Sequence, residues 1–312
     1  MIPALVLTAG LGTRLRPISR VCAKAAVPVA GKPLINRILT QLASYGVRDV
    51  VLNLHYLPET ITSIVGDGTN TGVRVRYSWE MPILGSAGGP KHALPLLNEK
   101  QFLIVNGDTS TNVNIPAFVE AHNRSGALVT LALKPNVEPD KYGGVVIDNQ
   151  GIVTGFAGKG NKASYHFVGV QIASADAFKD VVDGSPSESI AELYPQLIRH
   201  QVGSIRGWLT DTDFYDIGTA VDYLNTCLRM AEREGTILNK NALIDRTATV
   251  TESILWNDVV VEAGVKLNRC IVVDGVKVPA GQTWSNVTMR PALENLEPGE
   301  TVVGKIAIAK IV

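Results

Sequence analysis

From the start of the chain to about residue 135, apolar positions alternate between a strand-like and a helix-like period, which predicts a mostly parallel sheet covered by helices. Ala4 to Leu7 opens the pattern as a short apolar run. Leu34, Ile35, Ile38, Leu39 and Leu42 recur at helical spacing and stop at Gly46, Val47 to His55 is β-rich, and Pro58 to Val65 reads as a short helix. Val73 to Trp79 alternates as a strand, Ser86 to Leu97 reads as a helix, and Phe102 to Val105 is a short buried strand. That strand ends in Asn106-Gly107-Asp108, and the carboxyl end of a buried strand is where open α/β sheets place their ligands. Ile115 to Asn123 reads as a further helix and Ala127 to Leu133 as a further strand.

Between Val145 and Ser174 the strict alternation stops. β-like runs there are separated by Asp148-Asn149-Gln150-Gly151 and Gly158-Lys159-Gly160, which reads as a substrate-side insertion on the same sheet. Ala175 to Val182 and Ser189 to His200 are helical in pattern, Ser204 to Leu209 is strand-like, and Ala220 to Glu234 carries an apolar stripe at Val221, Leu224, Leu228 and Ala231 before Gly235. A first domain is therefore expected over residues 1–235 and a second over 236–312.

The second domain repeats. Setting Ile237, Ile254 and Ile271 in line gives a 17-residue period in which Asn239, Trp256 and Val273 coincide, as do Ala242, Val259 and Val276. Ile244, Val261 and Val278 also coincide, and so do Val250, Leu267 and Trp284. A period just short of three hexapeptides, with small or glycine corners, predicts about three triangular coils of a parallel β-helix; a small β-sandwich is the competing reading. So few coils need a surface to pack on, either the first domain or another copy, and their exposed edge favours a homo-oligomer.

Composition narrows the class. The 312 residues carry no net charge and are 46% hydrophobic, which suits a globular chain whose partners do not include nucleic acid, since phosphate-backbone binding needs clustered Lys and Arg. Three widely spaced cysteines, Cys22, Cys227 and Cys270, form neither a disulfide framework nor a zinc motif, and a reducing, cytoplasmic setting is expected. No export signal and no membrane anchor are read from the chain.

The chemistry is concentrated after the first strand, in Ala9-Gly10-Leu11-Gly12-Thr13-Arg14-Leu15-Arg16-Pro17 followed by Lys24. Glycines let backbone N–H groups approach phosphate oxygens, and Arg14 and Lys24 supply charge, which points to a nucleoside triphosphate held by its phosphates. A dinucleotide-binding turn would need glycine at Leu15 and a carboxylate near Asn53-Leu54-His55; a Walker-type loop would need Gly-Lys followed by Ser or Thr. Neither pattern is present.

The extended pattern, continuing through Pro28-Val29, Gly31-Lys32-Pro33, Asn53-Leu54-His55-Tyr56, Leu84-Gly85-Ser86-Ala87-Gly88-Gly89, Phe102 to Asp108 and Asp216-Ile217-Gly218-Thr219, resembles the sugar-1-phosphate nucleotidyltransferases. Its texture is most similar to the mannose-1-phosphate guanylyltransferase-like members. The resemblance implies an α/β, Rossmann-like catalytic domain followed by a short left-handed parallel β-helix. It also implies in-line attack of a sugar 1-phosphate oxygen on the α-phosphorus of a nucleoside triphosphate, with pyrophosphate released. Arg14, beside the amides of Gly10, Leu11, Gly12 and Thr13, would hold the departing pyrophosphate, and Lys24 would bridge toward the attacking and α-phosphates. Asp108 and Asp216 match the family's Mg2+ ligands; by themselves they could equally be a helix cap or a turn former.

By the same resemblance Ala9, Gly10, Glu80, Gly85, Ser86 and Gly88 read the base, and Asn106, Gly143, Lys159 and Gly169 hold the sugar phosphate. A solvated strand-end charge is the plainer reading of Glu80. Two positions depart from the family: Gly158 stands where a carboxylate commonly holds sugar hydroxyls, and Ala23 replaces a proline before the catalytic lysine. The five histidines, His55, His92, His122, His166 and His200, have no metal-ligand spacing and read as structural; none lies in the coils, which argues against a second, acyl-transferring activity. GTP with a mannose-like 1-phosphate is the first expectation. UTP or dTTP with another hexose, heptose or N-acetylmuramate 1-phosphate stays open, as does a non-catalytic nucleotide-sugar sensor.

Overall fold

The computed structural model describes residues 1–235, 239, 241–293 and 295–311. It divides into two compact units, Met1–Gly10 with Ile35–Tyr215, and Leu11–Leu34 with Asp216–Val312. The chain thus leaves the first unit within the glycine loop and leaves it again just before Asp216.

The first unit is built on a nine-stranded mixed sheet. Its main path runs Val153–Ala157, Gly144–Ile147, Tyr165–Ser174, Gln101–Asn106, Ala4–Leu7, Asp49–Leu54, Arg74–Trp79; Val129–Pro135 adds to Tyr165–Ser174 and carries Ile205–Leu209 beside it. The four strands from Gln101–Asn106 to Arg74–Trp79 are parallel; the inner three are apolar and buried on both faces, and the edge strand Arg74–Trp79 alternates. Antiparallel pairing begins at Tyr165–Ser174, so the middle of the chain extends the same sheet as expected. The core joins Leu5, Val51, Phe102, Ile104, Leu131 and Phe178, with the Phe102 and Phe178 rings 5.9 Å apart.

Helices α1 (Leu34–Ser44), α2 (Pro58–Val65), α3 (Gly85–Leu97), α4 (Ile115–Ser125), α5 (Tyr194–His200) and α6 (Ala220–Glu234) fall where the sequence pattern puts them. Two stretches differ. Only Ala175–Phe178 of the first is helical, a 3-10 turn, and the second opens with a π-helical turn over Ser189–Leu193 before α5. The chain between them delivers Ser187 to the start of α3, where its carbonyl accepts from the Ala87 and Gly88 N–H groups at 2.9 and 3.2 Å, and that docking overrides helical propensity.

In the second unit the coils are parallel ladders with a constant offset. Leu243–Ile244, Val260–Val261 and Lys277–Val278 form one; Thr249–Thr251, Lys266–Asn268 and Thr283–Ser285 another; Ile254–Leu255, Ile271–Val272 and Val287–Pro291 the third. The pairs Ile244↔Val261↔Val278 and Val250↔Leu267↔Trp284 are the ones read from the period, whereas Ile237 lies outside the described residues. Corners repeat as well, with Glu252, Arg269 and Asn286 all at positive φ. An antiparallel extension, Ile306–Lys310 and Thr301–Val303, continues the third ladder and has no counterpart in the repeat.

The coils pack on α6 and on the 11–34 segment. Trp256 Nε1 donates to Tyr223 Oη at 2.9 Å, and Tyr223 Oη donates to the Pro28 carbonyl at 2.6 Å. Tyr223 and Trp256 meet edge to face at 6.5 Å, and Arg269 donates to Asn225 of α6 at 3.1 Å. Replacing Tyr223 with Phe leaves the Trp256 indole N–H without its acceptor and the Pro28 carbonyl with only the Cys227 thiol at 3.7 Å; it is expected to lower unfolding free energy by about 1–3 kcal/mol, read as a shifted denaturant midpoint at unchanged slope.

Candidate active site

Within the second unit, Gly12 takes a left-handed conformation (φ 61) and starts a 3-10 turn over Thr13–Leu15. Ser19 Oγ donates to the Gly12 carbonyl at 2.7 Å, folding the loop back on itself. A Cβ on Gly12 would lie 3.0 Å from Ser19 Cβ and 3.5 Å from Lys24 Cβ, so the two catalytic candidates of this loop are near neighbours around Gly12: Arg14 two residues on and exposed, Lys24 against it and half-buried. Leu15, Ile18 and Ser19 are buried beneath.

Asp216 belongs to the same unit. Thr226 Oγ1 of α6 donates to its carbonyl at 2.8 Å, and a Cβ on Gly218 would come within 3.0 Å of its carboxylate, which lies over that backbone. The cap of α6 is Thr219, whose Oγ1 accepts from Asp222 N–H at 3.2 Å; the cap of α4 is Asn114, accepting from Ala117 N–H at 3.1 Å. Neither Asp216 nor Asp108 is thus a helix cap; Asp108 lies in the turn between the Gln101–Asn106 and Thr109–Thr111 strands, and Asp216 ends the Phe214–Asp216 strand. Among the described residues no group of three or more His, Cys, Asp or Glu could hold a metal alone.

In the first unit, Asp108 is half-buried just after the Gln101–Asn106 strand, and Gly107 N–H donates to the Leu7 carbonyl at 2.9 Å. Gly169 (φ 81) faces this turn: an added Cβ would lie 2.8 Å from Thr109 Oγ1 and 3.0 Å from Asn106 Cβ. Two sugar-phosphate candidates, Asn106 and Gly169, are thereby adjacent. Gly143 sits against the Ala157 carbonyl, two residues before exposed Lys159, so the other two candidates share the outer strands. Gly158 faces open space.

Among the base-reading candidates, the structure removes the plainer alternative for Glu80. Glu80 is only 4% exposed, so it is not a solvated strand-end charge. Its Oε1 accepts from Asn53 Nδ2 at 2.7 Å, and its Oε2 accepts from Leu84 N–H at 2.7 Å. Asn53 Oδ1 in turn accepts from Thr8 N–H at 2.6 Å, and His55 Nδ1 donates to the Glu80 carbonyl at 2.9 Å. One carboxylate therefore ties together the ends of three neighbouring parallel strands and the start of α3. A Cβ on Gly89 would sit 2.6 Å from Glu80 Oε1, which is why this helix carries glycine there. Ala9 is buried at the end of the first strand and Gly10 is exposed.

The start of α3 is already occupied. Ser86 N–H and Oγ donate to Glu188 Oε2 at 3.3 and 2.5 Å, Ser189 N–H donates to Ser86 Oγ at 2.8 Å, and a Cβ on Gly85 would meet Glu188 Oε1. Thr8, Asn53 and Glu188 were not legible as site residues: nothing in local spacing signals a partner 45 or 102 positions away.

His166 is enclosed by Tyr142 at 4.3 Å and Phe214 at 4.5 Å, and neither ring nitrogen has a hydrogen-bond partner. Burial, and then the Lys134 and Lys141 charges, bring its pKa down from 6.5 to about 4.

These elements match known proteins. The family described as "Nucleotidyl transferase" aligns over residues 3–233, and "GlmU-like, C-terminal hexapeptide" over residues 225–285. The chain belongs to the nucleotidyl transferase family and is a sugar-1-phosphate nucleotidyltransferase. It is 30% identical over 303 residues to mannose-1-phosphate guanylyltransferase 1 of Arabidopsis thaliana, covering 88% of this chain and 82% of the relative. It is 27% identical over 299 residues to UTP--glucose-1-phosphate uridylyltransferase of Synechocystis sp., covering 88% and 76%. The crystal structure of HddC from Yersinia pseudotuberculosis complexed with GMP-PN covers 74% of this chain and 100% of its own, with a TM-score of 0.65 and 25% identity.

Two outcomes follow from this geometry. Glu80→Gln replaces one of two buried acceptors with a donor and is expected to cost about 1.5–3 kcal/mol, measured by denaturant unfolding. Because His166 is held neutral in the folded chain, its contribution to stability is intact above pH 6.5 and is lost as pH falls toward about 4. His166→Phe, which keeps the aromatic stack, should flatten that part of the stability–pH curve relative to wild type.

Proposed function

We propose that this enzyme transfers a guanylyl group from GTP to a mannose-like 1-phosphate, releasing pyrophosphate. The observation that supports the reading most is the loop built around Gly12, in which Ser19 closes the turn and Lys24 lies against it, so that backbone amides and two cationic side chains are presented by one short segment. The extended likeness to the mannose-1-phosphate guanylyltransferase of Arabidopsis thaliana adds weight on the substrate side.

In this reading Arg14 and the amides of Gly10 to Thr13 hold the β- and γ-phosphates, and Lys24 neutralises charge at the α-phosphate as the new bond forms. Positioning and charge stabilisation carry most of such a transfer, with no protein nucleophile required. Asp108 and Asp216 would hold Mg2+. The fit is chemical: magnesium takes one or two carboxylates and completes its shell with water and phosphate oxygens, so half-buried aspartates without a histidine or cysteine cluster suit it. The ion, when bound, would neutralise phosphate charge and orient it for in-line attack.

Asn106 and Gly169, and separately Gly143 and Lys159, are assigned to the sugar phosphate. Gly85, Ser86 and Gly88 line the base side, where Glu80 acts by holding the loop in place. The catalytic part is assigned to residues 1–235 and the coils to residues 236–312 as a non-catalytic module, self-associating through their exposed edge. A cytoplasmic setting is supported by three cysteines that form no disulfide and by the lack, among the described residues, of any helix long and apolar enough to cross a membrane.

Screening GTP, UTP, dTTP and ATP against several sugar 1-phosphates for pyrophosphate release tests the reading, with GTP plus mannose 1-phosphate expected to be fastest. A uridylyl preference, as the name of the Synechocystis sp. relative suggests, would replace the substrate assignment; no release with any pair would leave the sensor reading. Lys24→Ala is expected to lower kcat by about 100-fold or more at unchanged melting temperature.

A further inference from the structure

Between the last coil strand, Val287–Pro291, and the antiparallel extension that begins at Thr301, the chain makes a turn that touches the segment from Gly12 to Lys24. Glu297, with its side chain 14% exposed, accepts from Arg16 Nη1 at 3.5 Å and pairs with Arg20 Nε at 3.2 Å. Arg16 and Arg20 lie within the segment that runs from Gly12 to Lys24, and their side chains are only 34% and 28% exposed. Without Glu297, two partly desolvated guanidinium groups would lose the carboxylate they share.

Glu297 does not reach this position by chance packing of a surface side chain. Its backbone N–H donates to Glu300 Oε2 at 2.7 Å, and Glu300 N–H returns a bond to the Glu297 carbonyl at 3.0 Å. Glu300 is fully buried against Arg290, which donates through Nε to Oε1 at 2.8 Å and through Nη2 to Oε2. The same guanidinium donates to the carbonyls of Pro291 at 3.0 Å and Asn295 at 3.4 Å. A buried ion pair of this kind contributes little net stability over an apolar pair of the same volume, because desolvation offsets the attraction. What it does provide is geometry: both carboxylate oxygens and four donors fix the turn, and the turn fixes Glu297.

We propose that Glu297 is a positioning residue for the triphosphate loop, so that the C-terminal turn sets the affinity of the loop for the triphosphate and for pyrophosphate. The coils then serve as the rigid base from which this clamp acts, a role that needs no ligand site of their own. The inference rests on the reading of Gly12 to Lys24 as the triphosphate loop, and the test separates the two.

In the full-length chain, Glu297→Gln should speed amide hydrogen exchange in residues 11–24 while leaving exchange in the first unit's sheet unchanged. In assays it should raise KM for the triphosphate, and for pyrophosphate in the reverse reaction, by about tenfold, with kcat and KM for the sugar 1-phosphate nearly unchanged. Glu297→Asp, which keeps the charge, should recover part of the affinity. The double variant Arg290→Met with Glu300→Leu should reproduce the KM change and the faster exchange, at a melting temperature lowered by the lost bonds to the Pro291 and Asn295 carbonyls and the Glu297 N–H. Unchanged exchange and unchanged KM in Glu297→Gln would overturn the proposal, as would a lower melting temperature with kcat reduced and KM intact. A wild-type chain that releases no pyrophosphate would refute the enzymatic reading, and the exchange measurement would still decide the clamp.

Discussion

The loop from Leu11 to Leu34 leaves the sheet that starts it and has no ladder of its own beyond the Pro28–Val29 and Lys32–Pro33 pair, so its polar groups and charges must find partners elsewhere. They find them on α6 and the coils: the Pro28 carbonyl on Tyr223, Tyr223 on Trp256, and Arg16 and Arg20 on Glu297. This constraint explains why compactness divides the chain across the glycine loop rather than at the end of α6. The loop's outer side is thereby held by α6, the coils and the turn beyond them.

The second constraint is the closeness of strand ends in the parallel half of the sheet. Thr8, Asn53 and Glu80 come from the ends of three neighbouring strands: Thr8 N–H donates to the Asn53 side chain, which donates to the Glu80 carboxylate, and both Glu80 oxygens are used. A buried carboxylate in that position is costly unless each oxygen is paired, and here each is. The result is a stiff floor under Ala9, Gly10 and the start of α3. The Glu80 carboxylate, whatever it meets in a ligand, is paired through both oxygens and holds the strand ends in register with the start of α3. Glu188 does the corresponding work at Ser86 from a distant segment whose own helix opens with a π turn to reach it.

Much of this architecture is legible in the chain. The 17-residue spacing of Val250, Leu267 and Trp284 is the register of a coil ladder, because in-register parallel stacking puts each residue over the one a full turn earlier. The buried runs at Ala4 and Phe102 become central parallel strands for the same reason that they are apolar throughout. Legibility ends at Ala175 to Val182 and at the chain beyond residue 291, where a docking segment and an antiparallel extension follow tertiary partners and not a local period.

Local chemistry by itself determined the family, the glycine-rich loop with its cations Arg14 and Lys24, and the coil repeat, since each is a short-range pattern of glycine, charge or apolar spacing. Only the tertiary structure decided that Glu80 is buried with both oxygens paired, that Glu188 bonds the start of α3, that Asp108 and Asp216 are not helix caps, and that Glu297 holds the arginines of the loop. Those facts depend on which distant groups must be paired once water is excluded, and pairing across 102 or 281 positions leaves no trace in the spacing of neighbours.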